Sequence, residues 1–188
     1  MNYSEEIDKI LETGMTERCF KLWKGIKERV PNIWDRPTSS TGKHHRRTDG
    51  TIPSCAEHVY EMLIACAKLL SIFNIEVKSA QCDILLFSVA LHDAFKYGVD
   101  NALNRPYTDN GHDRLAGNIV RDNKLVFMKI FNEGQVNLLE KCVRYHTGRW
   151  STDAEKDFNF KDFPTEVFFV HMLDMLSTLD LLNIGKGN

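Results

Sequence analysis

Apolar side chains recur at three- and four-residue spacing over most of the chain, and strand-like alternation is nearly absent. In the N-terminal part this spacing predicts one or two helices between Tyr3 and about Val30, ended by Pro31. A segment rich in Ser, Thr, Pro, Gly and basic residues follows over 31–53 and predicts a loop. The segment is long for a passive connection, which favours a functional role for it.

Ser54 is placed to cap the next helix, and Glu57, three residues later, predicts a capping box. The run from about Lys78 to Lys96 is apolar on most sides and predicts the buried central helix. A buried strand has a similar pattern, but the length of this run favours a helix. Further helices are predicted at about 112–131, 134–147 and 164–183, with loops at 99–111, 132–134 and 148–163.

The predicted fold class is therefore all-α, a compact bundle of about six to eight crossing helices. A chain of 188 residues, 43% of them hydrophobic, suits one domain, 1–188, with a single sizeable core. We expect phenylalanine side chains to contribute to that core near the C-terminal end. These are Phe158, Phe160, Phe163, Phe168 and Phe169.

The composition narrows the class of protein further. A formal net charge of −2 gives no electrostatic reason to expect an extended nucleic acid or an anionic membrane as the main partner. The five cysteines are odd in number and form no C-x-x-C pair, so we expect reduced core thiols. The acidic start lacks a signal pattern, and no apolar run reaches the roughly 18 residues of a membrane span. We therefore expect a soluble, cytoplasmic protein.

Candidate chemistry begins with His92 and Asp93, which stand side by side after the apolar run 82–91. A single His-Asp pair means little, because an isolated histidine is more often a structural group than a metal ligand. Here other His and Asp residues precede and follow the pair in helix-like patterns, and ligands from several helices can converge on one divalent ion. The set in chain order is His58, His92, Asp93, His112, His146 and Asp174.

This ordered set resembles the ligand set of the HD-domain superfamily of metal-dependent phosphohydrolases, over roughly residues 54–180. The resemblance implies that Asp93 bridges two ions. The first ion would be held by His58, His92, Asp93 and Asp174, and the second by Asp93, His112 and His146. We expect two divalent ions drawn from Mn, Fe, Co, Ni and Zn, with Mg an option at one position. A water between them would have its pKa lowered from about 15.7 toward about 7 and would supply a hydroxide nucleophile.

Two residues compete with Asp174 for the last ligand position. Asp180 is nearer the chain end, whereas Asp174 lies in an otherwise apolar helix, where a carboxylate is costly unless it is paired or bound to a metal. His171 would share a helix face with Asp174, and we interpret it as a supporting or structural residue. Asp174 is therefore the preferred ligand.

Lys96 lies one turn after His92, so a continuing helix would bring its ammonium to the metals. The resemblance gives a lysine in this H-D-x-x-K arrangement a role in phosphate binding, and we predict that Asp93 and Lys96 are catalytic. Asp113 and Arg114, beside His112, are weaker candidates for supporting the ligands. Arg149 and Trp150 either line the pocket or cap a helix end.

The loop before the His58 helix carries hydroxyls, a glycine and basic side chains over residues 39–47, without the spacing of a P-loop. It vaguely resembles a Ser-Thr-Gly-Lys-x-His segment in small HD hydrolases of phages and bacteria, and it equally fits a solvated turn. We divide the chain into an N-terminal helical extension (1–30), a substrate loop (31–53) and a metal-binding helical core (54–183). The predicted substrate-binding residues are Lys43, His44, His45, Arg46, Lys96, Arg114 and Arg149.

The function implied is hydrolysis of a phosphomonoester or phosphodiester bond in a small phosphorylated substrate, with a nucleotide preferred and a cyclic nucleotide or short cyclic oligonucleotide left open. One alternative is a diiron oxygenase of the same superfamily, which the ligand types alone do not distinguish. Another is a non-catalytic nucleotide-binding module. A nuclease is disfavoured because the short basic segment offers no extended phosphate track. The oligomeric state stays open, although HD proteins often form homodimers.

Overall fold

The structure, a computed structural model, describes residues 1–30, 33–41, 45–100 and 104–178. Within these residues all regular secondary structure is helical, and the one extended pairing is an antiparallel bridge between Pro37 and Ser54. The α-helices are α1 (Tyr3–Gly14), α2 (Glu17–Lys27), α3 (Cys55–Ile72), α4 (Ala80–Leu91), α5 (His112–Asp122), α6 (Lys124–Phe127), α7 (Glu133–Arg144) and α8 (Thr165–Thr178). Short 3-10 helices lie at Gly148–Trp150 and Phe160–Asp162. The all-α prediction is confirmed.

Helix α4 is the centre of the bundle, as its apolar pattern predicts. Its residues from Cys82 to Leu91 are all buried, and α1, α3, α7 and α8 pack around it. The buried carboxylate of Asp83 accepts hydrogen bonds from the main-chain N–H and the hydroxyl of Thr16, at 2.8 and 2.6 Å. Since Thr16 caps α2, this contact joins the start of α2 to α4.

The N-terminal helices contribute to the same core. Ile7 and Leu11 of α1 and Trp23 of α2 are fully buried and belong to the apolar cluster that includes α4. The ring of Trp23 meets Phe87 of α4 edge-on, with ring centroids 6.1 Å apart. Burying these large side chains stabilises the packing of the N-terminal helices on the bundle.

The start of α3 agrees only in part with the predicted capping box. The hydroxyl of Ser54 accepts a 3.1 Å hydrogen bond from the N–H of Glu57, as expected. The carboxylate of Glu57, however, pairs with Arg47 at 2.8 Å and accepts from the hydroxyl of Tyr3 at 3.2 Å. Its contacts with Arg47 and Tyr3 take the place of the second hydrogen bond of a capping box, from the N–H of Ser54 to the carboxylate of Glu57.

The predicted ends of three helices need correction. Helix α4 ends at Leu91 instead of continuing to Lys96, and the following residues form tight turns, in which the N–H of Lys96 donates to the carbonyl of Asp93 at 3.0 Å. The predicted helix 112–131 is interrupted at Asn123. The predicted loop 132–134 is wrong beyond Asn132, because Asn132 and Gln135 form a capping box that starts α7 at Glu133.

The loop before α3 is irregular, as predicted, and is fixed to the bundle where the structure describes it. The N–H of Thr38 donates to the carbonyl of Pro53 at 3.0 Å, and the N–H of Cys55 donates to that of Arg36 at 2.7 Å. The hydroxyl of Tyr97 donates to the carbonyl of Pro37 at 2.7 Å. These bonds hold both ends of the loop against α3 and against the turn after α4.

The predicted phenylalanine core is confirmed for most of its members. Phe169 is buried, and Phe160 and Phe163 pack partly buried against the core. Phe158 lies 5.0 Å from both of these rings, measured between centroids. The exception is Phe168, which is 46% exposed.

The five cysteines are free and buried, as expected of core thiols. Across the residues described, no helix combines the length and the apolar character that crossing a membrane would require.

Candidate metal centre

Five segments of the fold bring the six predicted ligands together. Helix α3 carries one in its first turns, two follow the last residue of α4, one begins α5, one lies just past α7 and one lies within α8. Five of the side chains are buried and that of His112 is partly buried. In this order they are His58, His92, Asp93, His112, His146 and Asp174.

The first group of ligand atoms surrounds Nε2 of His58. This nitrogen lies 3.2 Å from Nε2 of His92, 3.3 Å from Oδ1 of Asp174 and 3.7 Å from Oδ2 of Asp93. Nε2 of His92 lies 3.5 Å from the same Asp93 oxygen. His58, His92 and Asp93 form a set that could hold a divalent ion, and His58 and Asp174 belong together to a further such set.

The second group surrounds the other oxygen of Asp93. Oδ1 lies 3.2 Å from Nε2 of His112 and 3.7 Å from Nε2 of His146. These three residues also form a set that could hold an ion. The carboxylate of Asp93 therefore presents one oxygen to each group.

Three of the imidazoles are oriented by main-chain carbonyls three residues earlier. Nδ1 of His92 lies 2.8 Å from the carbonyl of Val89, and Nδ1 of His146 lies 2.8 Å from that of Val143. These carbonyls are available because the last carbonyls of a helix have no partner within it. Nδ1 of His112 makes the same contact, at 2.8 Å, with the carbonyl of Asp109. A metal-binding histidine is commonly oriented in this way.

In this orientation the Nε2 atoms of the imidazoles face carboxylate oxygens, so hydrogen-bond acceptors lie opposite other acceptors. A carbonyl only accepts hydrogen bonds, so the Nδ1 of a neutral imidazole beside it carries the hydrogen and Nε2 carries the lone pair. Oδ1 of Asp93, Nε2 of His112 and Oδ1 of Asp174 are buried and have no hydrogen-bond partner among the described residues. Lone pairs 3 to 4 Å apart repel unless a cation lies between them. The residues present therefore fit divalent ions.

The protonation states of His146, His58 and Asp174 favour metal binding. At His92, by contrast, burial opposes the charge but Asp93 raises the pKa above its usual value. Burial lowers the pKa of His146 to about 3, and the neighbouring His92 and His112 act in the same direction. Burial also lowers the pKa of His58. Burial opposes the charge on Asp174, but the adjacent His58 holds the pKa of this carboxyl well below its usual range. Neutral imidazoles and ionised carboxylates are the forms that bind a metal.

Lys96 reaches the centre, although not through the helix that the sequence predicted. The tight turn after α4 places its buried ammonium 2.5 Å from Oδ2 of Asp93. Burial opposes the charge on Asp93, but the charge of Lys96 holds the pKa of this carboxyl well below its usual range. Burial likewise opposes the charge on Lys96, and the carboxylates of Asp93 and Asp174 raise its pKa above the usual value.

Four other residues predicted to bind substrate are Lys43, His44, Arg46 and Arg114. Lys43 and His44 lie outside the described residues, and Arg46 is exposed. Arg114 donates to Asp153 and to the carbonyl of Thr152, at 2.7 and 3.1 Å.

Arg149 and His171 are two further candidates that the sequence offers. Arg149 is exposed and stacks over the ring of Trp150 at 4.6 Å, within a 3-10 helix. His171 donates from Nδ1 to the carbonyl of His146, at 2.7 Å, which agrees with its expected supporting role. The competing Asp180 lies outside the described residues.

One possible ligand and several supporting contacts were not predicted from the sequence. His45, predicted to bind substrate, joins His58 and Asp174 in a third set that could hold an ion. Ser177 lies 2.8 Å from Nδ1 of His58. Asp113 accepts from Ser151 and Thr152 and so fixes the segment that follows His146 to α5. The supporting contacts carry no local signal because their partners are distant in the sequence, although Asp113 adjoins a ligand.

Comparison of the chain with protein-family models, with curated proteins and with solved structures finds no match.

Proposed function

We propose that this protein is a metal-dependent phosphohydrolase that cleaves a phosphomonoester or phosphodiester bond in a small phosphorylated substrate, with nucleotides as the substrate class. The observation that carries the proposal is the position of Asp93. Its Oδ2 faces the group of His58 and His92, while its Oδ1 faces His112 and His146. A carboxylate shared in this way suits two adjacent cations, as the resemblance to the HD-domain superfamily implies.

The ligand set determines the chemistry that bound ions would supply. Two divalent ions would provide a water of lowered pKa and Lewis acids for phosphoryl oxygens. The first would be held by His58, His92, Asp93 and Asp174, and the second by Asp93, His112 and His146. Imidazole and carboxylate ligands suit Mn, Fe, Co, Ni and Zn.

The protein contributes positive charge and fixed geometry. The ammonium of Lys96 lies against Asp93 and stabilises negative charge that develops on a phosphoryl group at the centre. The carbonyls beside His92, His112 and His146 hold their Nε2 atoms on the centre before substrate binds. Little reorganisation is then needed during the reaction.

A phosphate-release screen tests the proposal. Purified protein is stripped with a chelator and incubated with nucleoside mono-, di- and triphosphates and cyclic nucleotides, with Mn, Co, Ni or Mg supplied in turn. Cyclic substrates are followed by chromatography of the nucleotide product. We expect hydrolysis that requires added metal, is abolished in Asp93→Ala, and persists in Asp157→Ala, a matched change at an exposed aspartate.

Two outcomes would contradict the proposal. Metal-dependent oxygen consumption without phosphate release would favour the diiron alternative. Tight nucleotide binding with no turnover under any metal would favour a non-catalytic module.

A further inference from the structure

His45 occupies a position that its sequence context does not explain. It comes from the loop before α3, yet its side chain is buried. Its ring lies 4.6 Å from that of His58, measured between centroids. One of its ring nitrogens lies within 4.8 Å of a ligand atom of His58 and of one of Asp174. The side chain thus reaches the metal centre from outside the helices that supply the six predicted ligands.

The hydrogen bonds of Thr178 define which nitrogen of His45 is available. The hydroxyl of Thr178 donates to the carbonyl of Asp174 at 2.8 Å. Its oxygen lies 3.3 Å from Nδ1 of His45 and can accept from that nitrogen. Nδ1 of His45 then carries the hydrogen, and Nε2 carries a lone pair. The same arrangement is found at His92, His112 and His146.

The backbone at His45 is held in an unfavourable conformation. Its φ of 56° lies in the left-handed region, which costs free energy in any residue except glycine. The loop is anchored two residues later, where the buried guanidinium of Arg47 pairs with Glu57 at 2.8 Å and with Glu61 at 2.5 Å. Both acids belong to the first turns of α3, the helix that carries His58. The anchor therefore fixes His45 relative to His58.

We propose that His45 is a seventh protein ligand of the metal centre and binds the ion held by His58 and Asp174. The inference rests on the proposed metal centre and extends it to a residue of the loop. With His45 included, this ion has two imidazole ligands and one carboxylate ligand, from His45, His58 and Asp174. Such a set favours Co, Ni, Zn or Fe over Mg, which prefers oxygen ligands.

A cobalt titration tests this role without any measurement of activity. The titrations use a His112→Ala background, in which the second group lacks a ligand and the first ion is observed alone. The affinity for Co²⁺ and its visible absorption spectrum are recorded for this background, with and without His45→Gln. Lys68→Gln is the control, at an exposed position of α3 outside the ion-binding sets.

We expect His45→Gln to weaken Co²⁺ binding at least about tenfold and to change its absorption spectrum, because even the loss of a residue that supports a ligand weakens metal binding about 10–100-fold. The ratio of Co²⁺ affinity to Mg²⁺ affinity should also fall in His45→Gln. Lys68→Gln should leave the affinity and the spectrum unchanged. Equal affinity and an unchanged spectrum in His45→Gln would overturn the role of His45 while leaving the six-ligand centre intact. Absence of Co²⁺ binding in the background protein would overturn the centre itself.

A second variant covers the case in which His45→Gln disturbs folding. His45→Gly suits a positive φ and leaves a space of the size of the lost ring. We expect added imidazole to restore the cobalt spectrum of His45→Gly and to leave that of the background protein unchanged. Failure of imidazole to restore it, in a variant whose circular dichroism is unaltered, would count against ligation by residue 45.

Discussion

The hydroxyl of Ser177 lies 2.8 Å from Nδ1 of His58, and this contact sets His58 apart from the other histidine ligands in the six-ligand set. Those histidines are oriented by main-chain carbonyls, which no side-chain substitution removes. The orientation of His58 depends on a side chain from α8, and the Ser177 hydroxyl in turn lies 3.4 Å from Oε2 of Glu61.

Ser177→Ala should therefore weaken metal binding at the first site, the one that includes His58, and not at the second. Without the hydroxyl, the imidazole of His58 loses the partner that holds Nε2 toward Asp174. We expect metal affinity at the first site to fall about 10–100-fold, with the second site unchanged. Competitive titration against a chromogenic chelator measures both. Ser71→Ala, at an exposed position of α3, is the control, and equal loss at both sites would argue against a specific role for Ser177.

Lys96→Met should separate metal binding from turnover. The ammonium lies against Oδ2 of Asp93 and does not supply a ligand atom. We expect the variant to bind metal at least as tightly as the wild type, since a positive charge that repels the ion has been removed. Turnover should fall about 10²–10³-fold, as for the loss of other groups that stabilise charge in a transition state.

Metal content and steady-state kinetics on the same Lys96→Met preparation measure the two effects. Lys68→Met, at an exposed lysine of α3, should behave as the wild type. A variant that lost its metal together with its activity would show that Lys96 maintains the centre instead.

Asp113 should make the stability of the metal-free protein depend on pH. Burial opposes its charge, but hydrogen bonds from Ser151 and Thr152 lower the pKa of this carboxyl below its usual value. A group with a lowered folded-state pKa stabilises the fold above its unfolded pKa, about 3.9 for Asp, and loses that contribution as the pH falls through the folded pKa.

We expect Asp113→Asn to reduce the free energy of unfolding at pH 7 by about 1–3 kcal/mol, the cost of leaving buried donors or acceptors unsatisfied. The difference from the wild type should shrink as the pH falls below about 4. Urea unfolding in the presence of a chelator measures it, with Asp157→Asn as the exposed control. If the difference in unfolding free energy stayed constant below about pH 4, the loss of stability would come from altered packing and not from loss of the Asp113 charge.

The cysteines should be nearly inert in the folded protein. Burial raises the pKa of Cys55 to about 12 and that of Cys142 to about 12, so little thiolate forms at neutral pH. All five thiols are buried. We expect a disulfide reagent to modify less than one thiol per chain in native protein and all five in guanidinium. Rapid modification of Cys55 in the folded protein would contradict this expectation and would show that the region near Lys96 becomes accessible to solvent.

The spacing of apolar residues was sufficient to predict which segments are helical, but it did not predict where several of the helices begin or end. Periodicity identified α4 because a buried helix needs a long apolar run, but it did not show that the chain turns at His92. The start of α7 was missed because Gly134 indicates a loop locally, whereas the capping box of Asn132 and Gln135 offsets the cost of a helical glycine.

The convergence of the six predicted ligands was also accessible from sequence, since these residues keep a recognisable order along the chain. The position of His45 was not, because an irregular loop has no periodicity from which a side-chain direction can be inferred. Its placement depends on Arg47 reaching Glu57 and Glu61 across the fold. Contacts of this kind are decided by tertiary packing and leave no local pattern.

The most direct test is an anomalous-difference map from a crystal soaked in Mn²⁺ and measured at the manganese absorption edge. We expect two peaks, one on each side of the Asp93 carboxylate, with His58 and Asp174 at the first and His112 and His146 at the second. A single peak, or manganese bound away from Asp93, would contradict the central claim.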